Sequence, residues 1–188
     1  MANYERMRRD HKPKKIDLLL LAESPPMPRN GHAPFFYDDS EGMVPYGLFQ
    51  ATMKALYPLQ WLKVKTDFLT AFKDESRYYL IDASSVPLES KGRKKKFREI
   101  RAAGTVIDTI KNLADEGSFE GGQVKLIIVG KTMHKIFYDY LIENSQIETS
   151  KGRFVIVVLN KNPFAFPHTR ESTEEFISEL GRIVGRKG

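Results

Sequence analysis

The sequence predicts a three-layer α/β/α protein built around a central, mainly parallel four-stranded sheet. Three observations predict it: four short apolar blocks of strand length, amphipathic helical stretches between them, and breaker-rich loops where the blocks end. Strands that alternate with helices need crossover connections, which make the sheet parallel and place helices on both of its faces.

The first block, Ile16 to Ala22, reads as a buried strand and stops at the cluster Ser24-Pro25-Pro26-Met27-Pro28. A loop through Arg29, Asn30, Gly31 and His32 leads to the aromatic block Phe35-Phe36-Tyr37. Helical spacing runs from Tyr46 to Tyr57, with Leu48, Phe49, Met53 and Leu56 on one face, and resumes from Lys65 to Phe72. Tyr78 to Ile81 is the second strand, ending at Asp82, and a long helix is expected from Phe97 to Ala114. Val124 to Val129 is the third strand, Lys131 to Leu141 its helix, and Phe154 to Leu159 the fourth strand. The last helix is expected to start at Ser172, where Ser-Thr-Glu-Glu has the spacing of a capping box with Glu175 reaching back. Phe176, Ile177, Leu180 and Ile183 follow at helical spacing.

At 188 residues and 41% hydrophobic content, one domain covering residues 1–188 is expected, with residues 1–15 as a flexible basic tail. The longest apolar run is far too short to span a bilayer, and no apolar region of signal-peptide length follows the basic N-terminus. A cytoplasmic protein without a membrane partner is the expectation. The absence of cysteine excludes disulfides, iron–sulfur clusters and thiolate zinc sites, and the four histidines lack metal-ligand spacing. No metal and no cofactor are therefore expected.

The net charge of +6 is unevenly spread. Lys91, Arg93, Lys94, Lys95, Lys96 and Arg98 fall in one stretch without an acid. Such a stretch is either a solvated surface or a patch that contacts phosphates. The N-terminal Arg6, Arg8, Arg9, Lys12, Lys14 and Lys15 either extend that patch or belong to the tail.

Ligands of open α/β sheets bind at the carboxyl ends of the strands, which directs attention to Glu23, Asp82, Gly130 and the loop from Asn160 to Thr169. Val129-Gly130-Lys131-Thr132 is no phosphate loop, because Lys125 stands where the preceding glycine would be required. No G-x-S-x-G elbow exists, and Ser24 reads as a loop residue. Glu23, between a buried strand and two prolines, is placed to activate water or to steady a developing cation. Asp82, ionised or protonated, is placed to pair with the polar edge of a ligand. Phe35 and Phe36 are either plain core or a platform for a flat ring. His168 is either a surface histidine or an electrophile for a carbonyl oxygen.

In this order the segments resemble the uracil-DNA glycosylase superfamily. Leu20-Leu21-Ala22-Glu23-Ser24-Pro25-Pro26 is similar to its water-activating first motif, in the variants that set Glu before a small residue and proline. Phe35 or Phe36 falls where the stacking aromatic is expected, and Tyr79-Leu80-Ile81-Asp82-Ala83 is similar to the base-reading strand, which more often ends in Asn. Phe166-Pro167-His168-Thr169 stands where that superfamily carries a His-Pro-Ser loop, with the order of histidine and proline reversed. Ser24 takes the place of the catalytic Asp or Asn of other branches. The resemblance implies a uracil-DNA glycosylase-like fold and cleavage of the N-glycosidic bond of a damaged or deaminated base flipped out of DNA. It implies Glu23 and His168 as catalytic residues and Phe35, Phe36 and Asp82 as base-binding residues. Ser24, Pro25, Pro26, Lys91, Arg93, Lys94, Lys95, Lys96 and Arg98 would hold DNA, with the protein acting as a monomer. Two alternatives stay open: a protein of the same fold that binds nucleic acid or nucleotides without cleavage, and a small-molecule hydrolase using Ser24 or Glu23.

Overall fold

The computed structural model describes residues 4–27, 35–38, 47–57, 65–89 and 91–185. The predicted loop at Arg29, Asn30, Gly31 and His32, and Tyr46 at the start of the predicted second-segment helix, lie outside the described residues.

Strand β1 (Leu18–Ala22) is buried at every position, as its unbroken apolar sequence requires of a strand covered on both faces. It pairs in parallel with β2 (Tyr78–Asp82) on one side and β3 (Gln123–Ile128) on the other. β3 pairs in parallel with β5 (Gly152–Val158), and β4 (Gln146–Thr149) closes the edge antiparallel to β5, giving the order β2-β1-β3-β5-β4. The sheet thus has five strands where four are expected. β4 escapes the sequence pattern because only Ile147 of its four residues is buried. Its register follows from a tight hairpin in which the Thr149 hydroxyl donates to the Gly152 carbonyl at 2.9 Å.

The helices are α1 (Tyr4–Asp10), α2 (Leu48–Leu56), α3 (Lys65–Thr70), α4 (Arg93–Ala102), α5 (Thr105–Asp115), α6 (Lys131–Glu143) and α7 (Arg170–Ile183). α3 runs into a π-helical turn, Ala71–Glu75, which keeps Phe72 in the core beside Phe68. No helix among the described residues is long and apolar enough to cross a membrane.

Three further expectations are corrected. Residues 4–10 are helical and packed, with Tyr4 buried, rather than a tail. The single helix expected over residues 97–114 is two, separated at Gly104, whose φ of 73° ends α4 in the left-handed region that glycine adopts without strain. The cap of α7 lies three residues earlier than expected. Thr169 accepts from the Ser172 amide at 3.2 Å, and Ser172 accepts from the Thr169 amide at 2.8 Å. Glu175 instead accepts from the Ala165 amide at 3.0 Å and pairs with Lys131, bracing the loop before the helix.

Two polar devices finish the sheet. The Asn160 amide accepts from the Ile128 N–H and donates to the Ile128 carbonyl, while His134 bonds the Asn160 carbonyl at 2.8 Å. On edge strand β2 the Tyr37 hydroxyl accepts from the Leu80 N–H at 2.6 Å and donates to the Leu80 carbonyl at 3.2 Å. Burial raises the Tyr37 hydroxyl well above its ordinary pKa, and that of the neighbouring Tyr79 to about 12. Above pH 10 the unfolded tyrosines lose protons that the folded ones keep, so stability falls as pH rises. From Tyr79 alone the loss reaches about 2–3 kcal/mol by pH 12, where it levels off. Urea unfolding between pH 9 and 12 measures it, and Tyr79→Phe is expected to flatten the slope.

Candidate functional site

The carboxyl ends of β1 and β2 open into a cavity of about 480 Å³. Parallel pairing brings Ala22 level with Asp82, so the chain leaves both strands at the same height. The Ala83 and Ser84 amides donate to the Ala22 and Glu23 carbonyls and hold the two exits together. Glu23, Ser24, Pro25, Pro26, Phe35, Phe36, Asp82, Arg93 and His168 all line the cavity. Lys91, Lys94, Lys95, Lys96 and Arg98 do not: they are exposed at the start of α4, next to the cavity wall that Arg93 forms.

The Glu23 carboxylate accepts from Arg93 at 2.9 Å, and a second nitrogen of the same guanidinium donates to the Leu88 carbonyl at 3.3 Å. One residue of the basic stretch therefore turns inward to the carboxylate while its neighbours face solvent. The Arg93 Nε is buried without a partner among the described residues. Behind Glu23 lies Gly130, the residue before α6, with φ of 94°. A methyl group there would stand 3.5 Å from Phe166 Cβ and 3.8 Å from Glu23 Oε1. Gly130 is thus a spacer behind the carboxylate. Gly130→Ala is expected to cost about 1–3 kcal/mol from backbone strain alone, because φ of 94° with ψ of 136° is a conformation essentially confined to glycine. Urea unfolding beside Gly47→Ala, whose φ of 126° and ψ of −176° also lie in extended positive-φ space with room around it, separates that strain from pressure on Phe166 and Glu23.

Asp82, whose side chain is 4% exposed, is paired with Arg8 of α1. Burial pushes its carboxyl above the ordinary range, and the Arg8 guanidinium opposes that rise. The same guanidinium stands 5.1 Å from the centre of the Phe35 ring, and the Arg8 carbonyl accepts from the Tyr79 hydroxyl at 3.3 Å. The Tyr4 hydroxyl donates to the Pro26 carbonyl at 3.3 Å, so α1 ties the β1 exit to β2.

Phe35 is 2% exposed and sits edge-on to Tyr4 and Tyr37. Phe36 is embedded among Phe49, Phe68 and Phe72, so it belongs to the aromatic core as well as to the cavity wall. His168 is exposed at the rim, with its ring 4.6 Å from that of Phe166.

Two further residues, Lys65 and Arg8, shape the site and escape the sequence reading. Lys65, only 7% exposed, lines the cavity, donates to the Phe35 carbonyl at 2.7 Å and lies 4.8 Å from the Phe49 ring centre. Its signal is present: Lys65, Phe68, Leu69 and Phe72 fall at helical spacing, which puts a lysine on the buried stripe. Arg8 carries no comparable signal, because it acquires its role from distant residues; Gly130 is marked by its place at a strand end, but its role as a spacer is not. No group of three or more His, Asp or Glu among the described residues is arranged to hold a metal ion.

The fold and site define an α/β protein with a cavity at the carboxyl ends of its parallel strands, walled by aromatic rings and two arginine-paired carboxylates. No protein-family model matches the chain, and no curated protein is significantly similar to it in sequence.

Proposed function

We propose that the protein is a DNA glycosylase of uracil-DNA glycosylase-like fold, which takes a flipped, damaged base into the cavity and hydrolyses its N-glycosidic bond. The observation that carries this reading is the sharing of one aromatic-walled cavity by Glu23 and Asp82, from adjacent parallel strands, directly beside an exposed basic helix start. A cavity of this size suits a planar heterocycle with its sugar. Glu23 orients water and steadies the cationic sugar, with Arg93 fixing its carboxylate. The base lies against Phe35 and Phe36, where stacking returns about 1–3 kcal/mol of the cost of flipping. Asp82 meets the base edge, and His168 at the rim neutralises the departing base. Lys91, Lys94, Lys95, Lys96 and Arg98 meet the phosphates.

The test is base release from single- and double-stranded oligonucleotides carrying deaminated, oxidised or alkylated bases, scored as alkali-labile abasic sites. Release from at least one substrate supports the reading; none from any sinks it. The Glu23–Arg93 ion pair favours a second reading, a binder that does not cleave, because a carboxylate already engaged by a guanidinium is less ready to orient water. Salt-dependent DNA binding without abasic product identifies that case.

A further inference from the structure

We propose that Arg8 fixes Asp82 as an acceptor in the cavity, so that the ring taken there presents an amino group in preference to a carbonyl oxygen. The inference rests on the cavity being a base site and narrows the class of base it takes.

A carboxylic acid facing a ligand is ambiguous: protonated, it donates to a carbonyl, and ionised, it only accepts. The structure bears on that choice through a residue 74 positions away in sequence. Arg8, whose side chain is itself largely buried, donates to Asp82 Oδ2. A guanidinium cannot give up its proton in a protein, so its pairing favours the carboxylate over the acid. No hydrogen bond to Oδ1 forms among the described residues, and Asp82 lines the cavity. Oδ1 is therefore the acceptor left for a ligand. A carbonyl edge set against it would bring two acceptors together, each already stripped of water, whereas an amino group would satisfy it.

Arg8 is held in place for this role. It lies against Phe35, its backbone carbonyl accepts from Tyr79, and α1 is anchored by Tyr4 on Pro26. Phe35 and Asp82 also line the cavity, so the arginine supports both the ring face and the polar edge of the site. Arg8 is a positioning residue, acting on the ligand through Asp82. Among damaged bases, those that keep their amino group are then favoured over those that have lost it by deamination.

The experiment measures binding of four nucleosides to the full chain by titration calorimetry: deoxycytidine against deoxyuridine, and deoxyadenosine against deoxyinosine. Within each pair the amino member is expected to bind about tenfold more tightly. Asp82→Asn levels that ratio, because its amide also donates to carbonyls. Arg8→Lys keeps the ratio by keeping the charge. The double variant Arg8→Met/Asp82→Asn strands no charge, and is expected to give the ratio of Asp82→Asn. Equal binding within the pairs, preference for the oxo members, no binding of any nucleoside, or a ratio unmoved by Asp82→Asn overturns the inference. Base release is assayed alongside: cleavage with unselective binding overturns only the assignment of Arg8, and selective binding without cleavage overturns only the glycosylase reading.

Discussion

Glu23→Gln is expected to lower base release by about 10²–10⁴-fold while DNA binding persists. The substitution keeps the shape of the side chain and removes the charge that, in the proposed mechanism, orients water and faces the cationic sugar. Its surroundings predict a local effect. Pro25 and Pro26 stiffen the backbone beyond it, the Ser84 amide holds its carbonyl, and Gly130 leaves space behind it. The basic residues of α4 that face solvent are untouched, so electrophoretic mobility shift should move little. Equal loss of binding and cleavage would mean that Glu23 supports the fold of the basic face proposed to meet DNA. Unchanged cleavage would remove Glu23 from the mechanism.

Arg8→Met is expected to destabilise the protein by about 3–5 kcal/mol, because it leaves the buried Asp82 carboxylate without its counterion. The deficit should shrink as pH is lowered, since burial already raises the Asp82 carboxyl and a proton can replace the missing guanidinium. Adding Asp82→Asn should recover much of the loss, giving a strongly non-additive cycle in urea unfolding. An additive cycle would show that Arg8 contributes through Phe35 and the packing of α1, not through the carboxylate. Among the described residues, most ion pairs lie between side chains that are at least partly exposed and contribute little. This pair differs because both partners are largely withdrawn from water.

The central sheet was legible where the sequence is continuous and apolar. β1, β2, β3 and β5 each read as a block because both faces or most of one face are buried. β4 has a single apolar residue, Ile147, among four, too little to separate it from a loop. α1 has seven residues, below the length at which an isolated helix is stable, and is held by Tyr4 and Arg8 meeting residues far along the chain. The break between α4 and α5 was visible as Gly104, but a single glycine inside an apolar period does not say whether a helix bends, ends or continues. At the site, Glu23, Asp82, Phe35, Phe36 and His168 could be gathered on paper because parallel strands deliver their loops to one edge. What they pair with could not. The inward turn of Arg93 from a run of solvated cations, and the reach of Arg8 to Asp82, are decided by tertiary distance and leave no local trace.

The middle position of β1 has a consequence for how the chain reaches its native state. Leu18 pairs with Tyr78 and Leu19 with Leu126, so both edges of a five-residue apolar strand stay open until distant segments arrive. Closing such long loops costs entropy before any contact repays it, which slows assembly. During synthesis β1 emerges first among the strands and waits longest for its second neighbour. The wall behind Glu23 is finished only when Gly130 and Phe166 are in place. A nascent chain halted before β3 would present Leu-Leu-Leu-Leu-Ala with one edge unpaired, a ready template for aggregation. The strand that delivers Glu23 to the cavity is also the one most in need of shelter before the rest of the molecule exists.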